Sequence, residues 1–160
     1  MNLSDIIVVL LTAMIPIGEL RLAIPLAIFS LDIAWYIALP VAIIGNLFPV
    51  IIIIACLDRT ASFLTKFNNP LGSLILWYKR RTFATHGEKF QKYGAIALIM
   101  LVAIPLPMTG AWTGSFAAWL FGIPSRKALM LISIGLVIAG VIVTIISVAG
   151  FTFLISDTKV

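Results

Sequence analysis

Apolar residues fill four long blocks, roughly Asp5 to Ser30, Ile33 to Leu57, Gly94 to Gly122 and Ala128 to Ile155, and one polar stretch, Asp58 to Tyr93, separates the second from the third. A helix needs about 20 apolar residues, each rising 1.5 Å, to cross a hydrocarbon core of about 30 Å. The second block is long enough to cross with some tilt despite Pro40 and Pro49. The fourth opens with Pro124-Ser125-Arg126-Lys127, which offers Ser125 as an N-cap, and carries no further charge until Asp157. Both predict spanning helices.

The first and third blocks are interrupted. Pro16-Ile17-Gly18 divides one and Ile104-Pro105-Leu106-Pro107-Met108-Thr109-Gly110 divides the other. Proline removes an N–H and pushes the residue before it out of the helical region, so both runs favour a turn. The flanking pieces reach only about half of the hydrocarbon core. They predict two re-entrant helical hairpins with tips at Pro16, Gly18, Pro105 and Pro107, against the alternative of two proline-kinked spanning helices. Broken backbone at that depth is tolerated where it is buried in protein or lines water.

Charge separates the two topologies. With hairpins, the Asp58 to Tyr93 stretch and the Arg126-Lys127 pair share a side, which then holds nine of the eleven Lys and Arg residues (seven plus two). Four crossings would put them on opposite sides. The positive-inside rule favours hairpins, a cytoplasmic connector over 58–93, and both termini with Asp32 outside. Ile15-Pro16-Ile17 then aligns with Ile104-Pro105-Leu106, each ahead of a second half-helix and a span, and the two copies enter from opposite faces. Inverted repeats of this kind are frequent in secondary transporters.

Composition fixes the class. The chain has 160 residues, 62% hydrophobic and 11% charged, with mean hydropathy +1.18. A soluble domain needs about a quarter charged residues. One integral membrane domain is expected, its first block too long and too proline-rich for a cleaved signal peptide. In the connector, Leu71, Leu74, Ile75 and Tyr78 follow helical spacing after Pro70 and before Lys79-Arg80-Arg81, which predicts an amphipathic helix at the inner headgroup layer. The net charge of +5 is explained by topology rather than by nucleic acid. Cys56 stands alone and suits a small core-like position, and His86 suits a solvated loop.

The groups able to carry chemistry are few. The apolar blocks contain no paired carboxylates, no His or Cys cluster, no metal-ligand set and no phosphate-binding glycine loop, so neither an enzyme nor a cofactor is expected. Glu19 and Arg21 remain. An ionisable residue inside the membrane costs several kcal/mol unless paired or facing water, which marks a functional site or a structural ion pair. Glu19 follows the first break, where a positive helix terminus favours a carboxylate while desolvation favours the neutral acid. A carboxyl under such opposed influences can bind and release a proton. Arg21 stays charged and suits an anion, although on an ideal helix it points away from Glu19. At the second tip, Thr109 is expected to cap the half-helix beginning near Gly110, whose N–H groups could receive an anion. The two glycines of Gly110-Ala-Trp112-Thr-Gly114 suit close helix packing. Trp112, Thr113, Ser115 and Trp119 could line a cavity or pack and bond between the hairpins, and Asn46, which needs a hydrogen-bond partner, completes the candidate site as a helix-bonding or cavity group.

Ile15-Pro-Ile-Gly-Glu-Leu-Arg-Leu-Ala-Ile-Pro25, Phe90-Gln-Lys-Tyr-Gly94 and Ile104-Pro-Leu-Pro-Met-Thr-Gly-Ala-Trp-Thr-Gly114 resemble the small multidrug export protein family over nearly the whole chain. That family is similar to the DedA (SNARE-associated, VTT-domain) superfamily, in which two re-entrant hairpins each precede a spanning helix. The DedA resemblance implies proton- or ion-coupled transport and, for some members, translocation of undecaprenyl phosphate. Glu19 matches the acidic residue of the first hairpin. The arginines of the second DedA hairpin are absent, with Met108, Thr109 and Gly110 in that region.

The expectation is thus an all-α inner-membrane protein with repeats over 4–57 and 94–155. It would act as a proton- or ion-coupled transporter of an amphipathic or lipid-phosphate substrate, in contact with membrane lipids and plausibly paired as a homodimer. A small multidrug or cation exporter and a non-transporting scaffold are the alternatives.

Overall fold

The computed structural model describes residues 2–66, 93–105 and 109–157, and among these the chain is all-helical. The amphipathic segment expected around Leu71 to Tyr78, with Pro70 and Lys79-Arg80-Arg81, lies outside the described residues, as do His86, the Phe90-Gln-Lys approach, Pro107 and Met108.

Helix α1 (Leu3–Met14) opens on a bond from the Asn2 N–H to the Asp5 carboxylate, 2.9 Å. It ends at Ile15, whose extended backbone (ψ 132°) is what the following Pro16 requires. Helix α2 (Glu19–Pro25) follows the turn and runs into a π-helical turn, Leu26–Ser30. Pro25 supplies no N–H to the ladder and the turn widens beyond it, until Leu31 donates to Leu26 O at 3.2 Å. Asp32, in the left-handed region at φ 51°, closes the segment.

Helix α3 (Trp35–Lys66) runs unbroken through Pro40 and Pro49 and continues past Leu57 into the expected connector. Helix α4 (Tyr93–Ala103) stops just before Ile104-Pro105, α5 (Ala111–Leu120) begins beyond Gly110, and α6 (Ser125–Asp157) completes the chain. Two stretches, Trp35–Thr60 in α3 and Ser125–Gly150 in α6, are long and apolar enough to cross a membrane, whereas α1 and α4 are not. Large apolar side chains on the outer faces, such as Leu11, Ile44, Ile52, Ile96, Met130 and Ile145, are exposed, as a lipid-facing surface demands.

The two long helices run antiparallel. Leu39, near the start of α3, packs on Gly140 of α6, and Ser125 at the start of α6 donates its hydroxyl hydrogen to the Asp58 carboxylate. The second contact corrects the expectation that Ser125 caps α6. Pro124 O accepts the Ala128 N–H instead, and the serine hydroxyl takes the stronger, charged acceptor.

Helices α1 and α4 each lie against a glycine of a long helix. A Cβ at Gly45 would sit 2.7 Å from Leu10 O and 2.9 Å from Ala13 Cβ, and one at Gly135 would sit 2.7 Å from Val102 Cβ and 3.1 Å from Ile99 O. Glycine at these points lets the backbones approach without hydrophobic driving force, as packing in lipid requires. The common core is small and aliphatic, built on Val9, Ala13, Leu20, Ile24, Val102, Ile132 and Leu136. Cys56 is exposed, which corrects its assignment to a core-like position. A small thiol on an apolar helix carries no penalty facing lipid, so its character does not select the inner face.

Candidate functional site

Pro16 and Ile17 are exposed at the first break, but Gly18 and Glu19 turn inward, and Glu19 is only 5% exposed. Its backbone is left-handed, φ 49°, a conformation that a non-glycine residue adopts at a cost of about 1–3 kcal/mol. Strain of that kind persists where surrounding contacts fix it. Here the fixing contacts come from the far side of the sequence: the Glu19 carboxyl accepts the N–H of Ala111 at Oε2 and of Trp112 at Oε1, each at 3.4 Å. These are first-turn amides of α5, which have no carbonyl partner within their own helix and lie at its positive end. Glu19 caps α5 from another helix.

Gly110 makes the approach possible. It is buried at φ 155°, ψ −159°, a region open essentially to glycine alone, and a Cβ there would overlap the Glu19 carboxyl, only 2.6 Å from its Cδ. The Thr113 hydroxyl accepts the Gly110 N–H at 2.9 Å and donates to Gly110 O at 3.1 Å. The cap is therefore formed by Gly110, Thr113 and Glu19.

Thr109 does not cap α5, contrary to expectation. Its hydroxyl donates to Ile104 O at 3.2 Å and faces the Arg21 Nη2 at 3.4 Å. The Arg21 guanidinium also donates to Thr109 O, in a short bond, and to Ile104 O at 3.4 Å. A guanidinium is a stronger partner than a helix amide, and Thr109 answers to it. Both charged residues of α2 thus grip the second break, Arg21 on carbonyls and Glu19 on amides. The left-handed turn at Glu19 removes the ideal-helix geometry that would send them apart, and they attract each other electrostatically.

Asn46 is fully buried on α3 and presents its amide to the Glu19 carboxyl as a donor, yet among the described residues neither its Oδ1 nor its Nδ2 reaches hydrogen-bond geometry. The indole N–H of Trp112 is likewise buried without an acceptor among the described residues. Ser115 donates to Ala111 O at 2.7 Å within α5. Pro105, half-buried, ends the α4 segment and Pro107 is outside the described residues.

Depth follows from Asn46. Within Trp35–Thr60 it has 11 residues before it (35 to 45) and 14 after it (47 to 60), so it stands near the middle of a segment able to cross a membrane. At 1.5 Å per residue that is about 17 Å from one end and about 21 Å from the other. Glu19, beside it, occupies the same level. The site is a buried carboxyl at mid-height, with a helix terminus, a guanidinium and an unpaired amide around it. Among the described residues no cluster of His, Cys, Asp or Glu could hold a metal.

The sequence reading named Glu19, Arg21, Thr109, Gly110, Trp112 and Asn46, and the structure groups them. It did not name Ala111 or the Ile104 carbonyl, and it gave Thr113 as a cavity-lining or packing residue rather than as part of the α5 cap. Thr113, three residues beyond a glycine that opens a helix, carried a readable signal, whereas backbone groups carry none.

A family model described as putative small multi-drug export protein matches residues 19–142, which is 124 of the 160 residues (142 − 19 + 1). Comparison with curated proteins and with solved structures gave no match.

Proposed function

The chain belongs to the putative small multi-drug export protein family, and from that premise we propose that it is a proton-coupled membrane transporter that exports small amphipathic molecules. Glu19 takes up and releases the coupling proton. One observation carries this reading: a buried carboxyl, held in a strained backbone at the level of mid-α3, is the group that joins α2 to the start of α5. Its ionised form is what an N-terminal helix end favours, so adding a proton weakens the contact between the two halves of the chain.

Several features support two inverted hairpin-plus-span repeats around this carboxyl. Helix α1 touches both α2 and the π-helical turn beyond it, which a chain continuing straight through Pro16 would carry out of reach. Leu10 and Ala13 lie on Gly45 shortly before the first break, and Ile99 and Val102 lie on Gly135 shortly before the second. The Asp58–Ser125 bond joins the end of the apolar stretch of α3 to the start of α6, which fits a cytoplasmic face carrying Arg59, Arg126 and Lys127.

Export of small molecules is favoured over translocation of a lipid phosphate. A phosphate would draw on Arg21 and the α5 amides, and both already hold internal oxygens. The carbonyls on Arg21 also offset the charge that would repel a cationic substrate beside Glu19.

Reconstituted vesicles test the proposal. With ethidium as the probe and a pH-sensitive dye inside, an imposed proton gradient should drive ethidium across the membrane with protons moving the opposite way. Ethidium movement that ignores the gradient, or no movement at all, would contradict it.

A further inference from the structure

Among the described residues, the groups that hold Glu19 in place suit only one of its two charge states. Around its carboxyl stand the N–H groups of Ala111 and Trp112 on α5, the guanidinium of Arg21 on α2, which is the charged group acting on it, and the carboxamide of Asn46 on α3. The first three are donors only, and Asn46 alone carries an acceptor oxygen beside its own donor group. A carboxylate suits those three, but a neutral acid carries an O–H that needs an acceptor, and they offer none.

Asn46 is the complement of that gap. It is 0% exposed, and neither its Oδ1 nor its Nδ2 has a hydrogen-bond partner. An amide left so in a folded interior is costly, and native proteins almost always give it a partner in some state they visit. We propose that Asn46 is the positioning residue for protonated Glu19: its Oδ1 accepts the Glu19 O–H once the carboxyl has taken up a proton. This rests on the proton-coupled reading of Glu19 and adds where the proton points.

The step balances simply. A proton from the water phase adds to a Glu19 carboxylate oxygen, no other bond forms or breaks covalently, and the new O–H donates to Asn46 Oδ1. The carboxyl leaves the Ala111 and Trp112 amides, because a neutral acid is a poorer acceptor than its anion. Glu19 therefore passes from α5 to α3 on protonation and back on release. In the ionised state the Asn46 NH₂ group faces the carboxylate as a donor without reaching hydrogen-bond geometry, and on protonation the amide turns its Oδ1 to the acid.

Infrared titration of the reconstituted protein tests this. The pH-dependent difference between the parent chain and Glu19→Gln isolates the carbonyl band of protonated Glu19. In Asn46→Leu, a nearly isosteric change that removes a buried unpaired amide, the band should move to higher wavenumber as the acid loses its acceptor. Proton-driven ethidium movement should fall about tenfold, the rate equivalent of one hydrogen bond. Asn46→Val should do the same if leucine does not fit. A band unmoved in either folded variant overturns the role of Asn46 while leaving proton coupling at Glu19 intact. Absence of any titrating Glu19 band in the parent chain overturns both.

Discussion

Replacing Glu19 with Gln will leave the protein folded and stop proton-driven ethidium movement altogether. Gln matches Glu in size and in its tolerance of the left-handed backbone at φ 49°. Its carbonyl oxygen can still accept one of the two α5 amides, Ala111 or Trp112, while its NH₂ group loses the other. One hydrogen bond exchanged for an unmet donor costs about 1–2 kcal/mol. The loss of function is of a different order, because Gln takes up no proton and the proposed movement of Glu19 between partners then has no driving event. Thermal unfolding in detergent and vesicle transport, measured on the same preparation, separate the two effects. Transport by Glu19→Gln at the parent rate would remove the carboxyl from the mechanism.

Gly110→Ala is expected to cost the most stability of any single methyl group added to this chain. The new Cβ would overlap the Glu19 carboxyl, and the residue would be forced into backbone angles, φ 155° and ψ −159°, that alanine avoids. The conformational strain is about 1–3 kcal/mol and the overpacking about the same, giving a loss of about 3 kcal/mol or more. Part of that loss belongs to Glu19. A double-mutant cycle with Glu19→Ala, which clears the space, should therefore show Gly110→Ala costing less in the second background, since the two residues share one contact. Equal costs in both backgrounds would mean that the carboxyl does not occupy the place assigned to it.

The breaks at Pro16 and Pro105 were legible because proline acts on its own neighbours, and Glu19 with Arg21 stood out because charge is rare among apolar residues. Pro40 and Pro49 have the same chemistry but leave α3 unbroken, since the rest of that helix is packed against α1, α5 and α6. What could not be read was pairing across the sequence. Nothing near Thr109 announces that Arg21 will claim it, and nothing near Gly110 announces that Glu19 will supply the cap. Ser125 looked like a cap on local grounds and was drawn instead to Asp58, 67 positions earlier. Cys56 shows a further limit: in a membrane the outer face is as apolar as the core, so hydrophobic character alone does not say which side a residue faces.

The account depends on the first and third apolar blocks entering the membrane and turning back, so that Glu19 meets the start of α5 at its centre. Single cysteines at Asp32 and at Arg126, each in a Cys56→Ser background to remove the exposed native thiol, test this with a membrane-impermeant maleimide applied from one side of intact cells. Labelling of the Asp32 position from outside, with the Arg126 position reached only after the membrane is opened, is the predicted result. Labelling of both positions from the same side would mean four crossings, and would contradict the account.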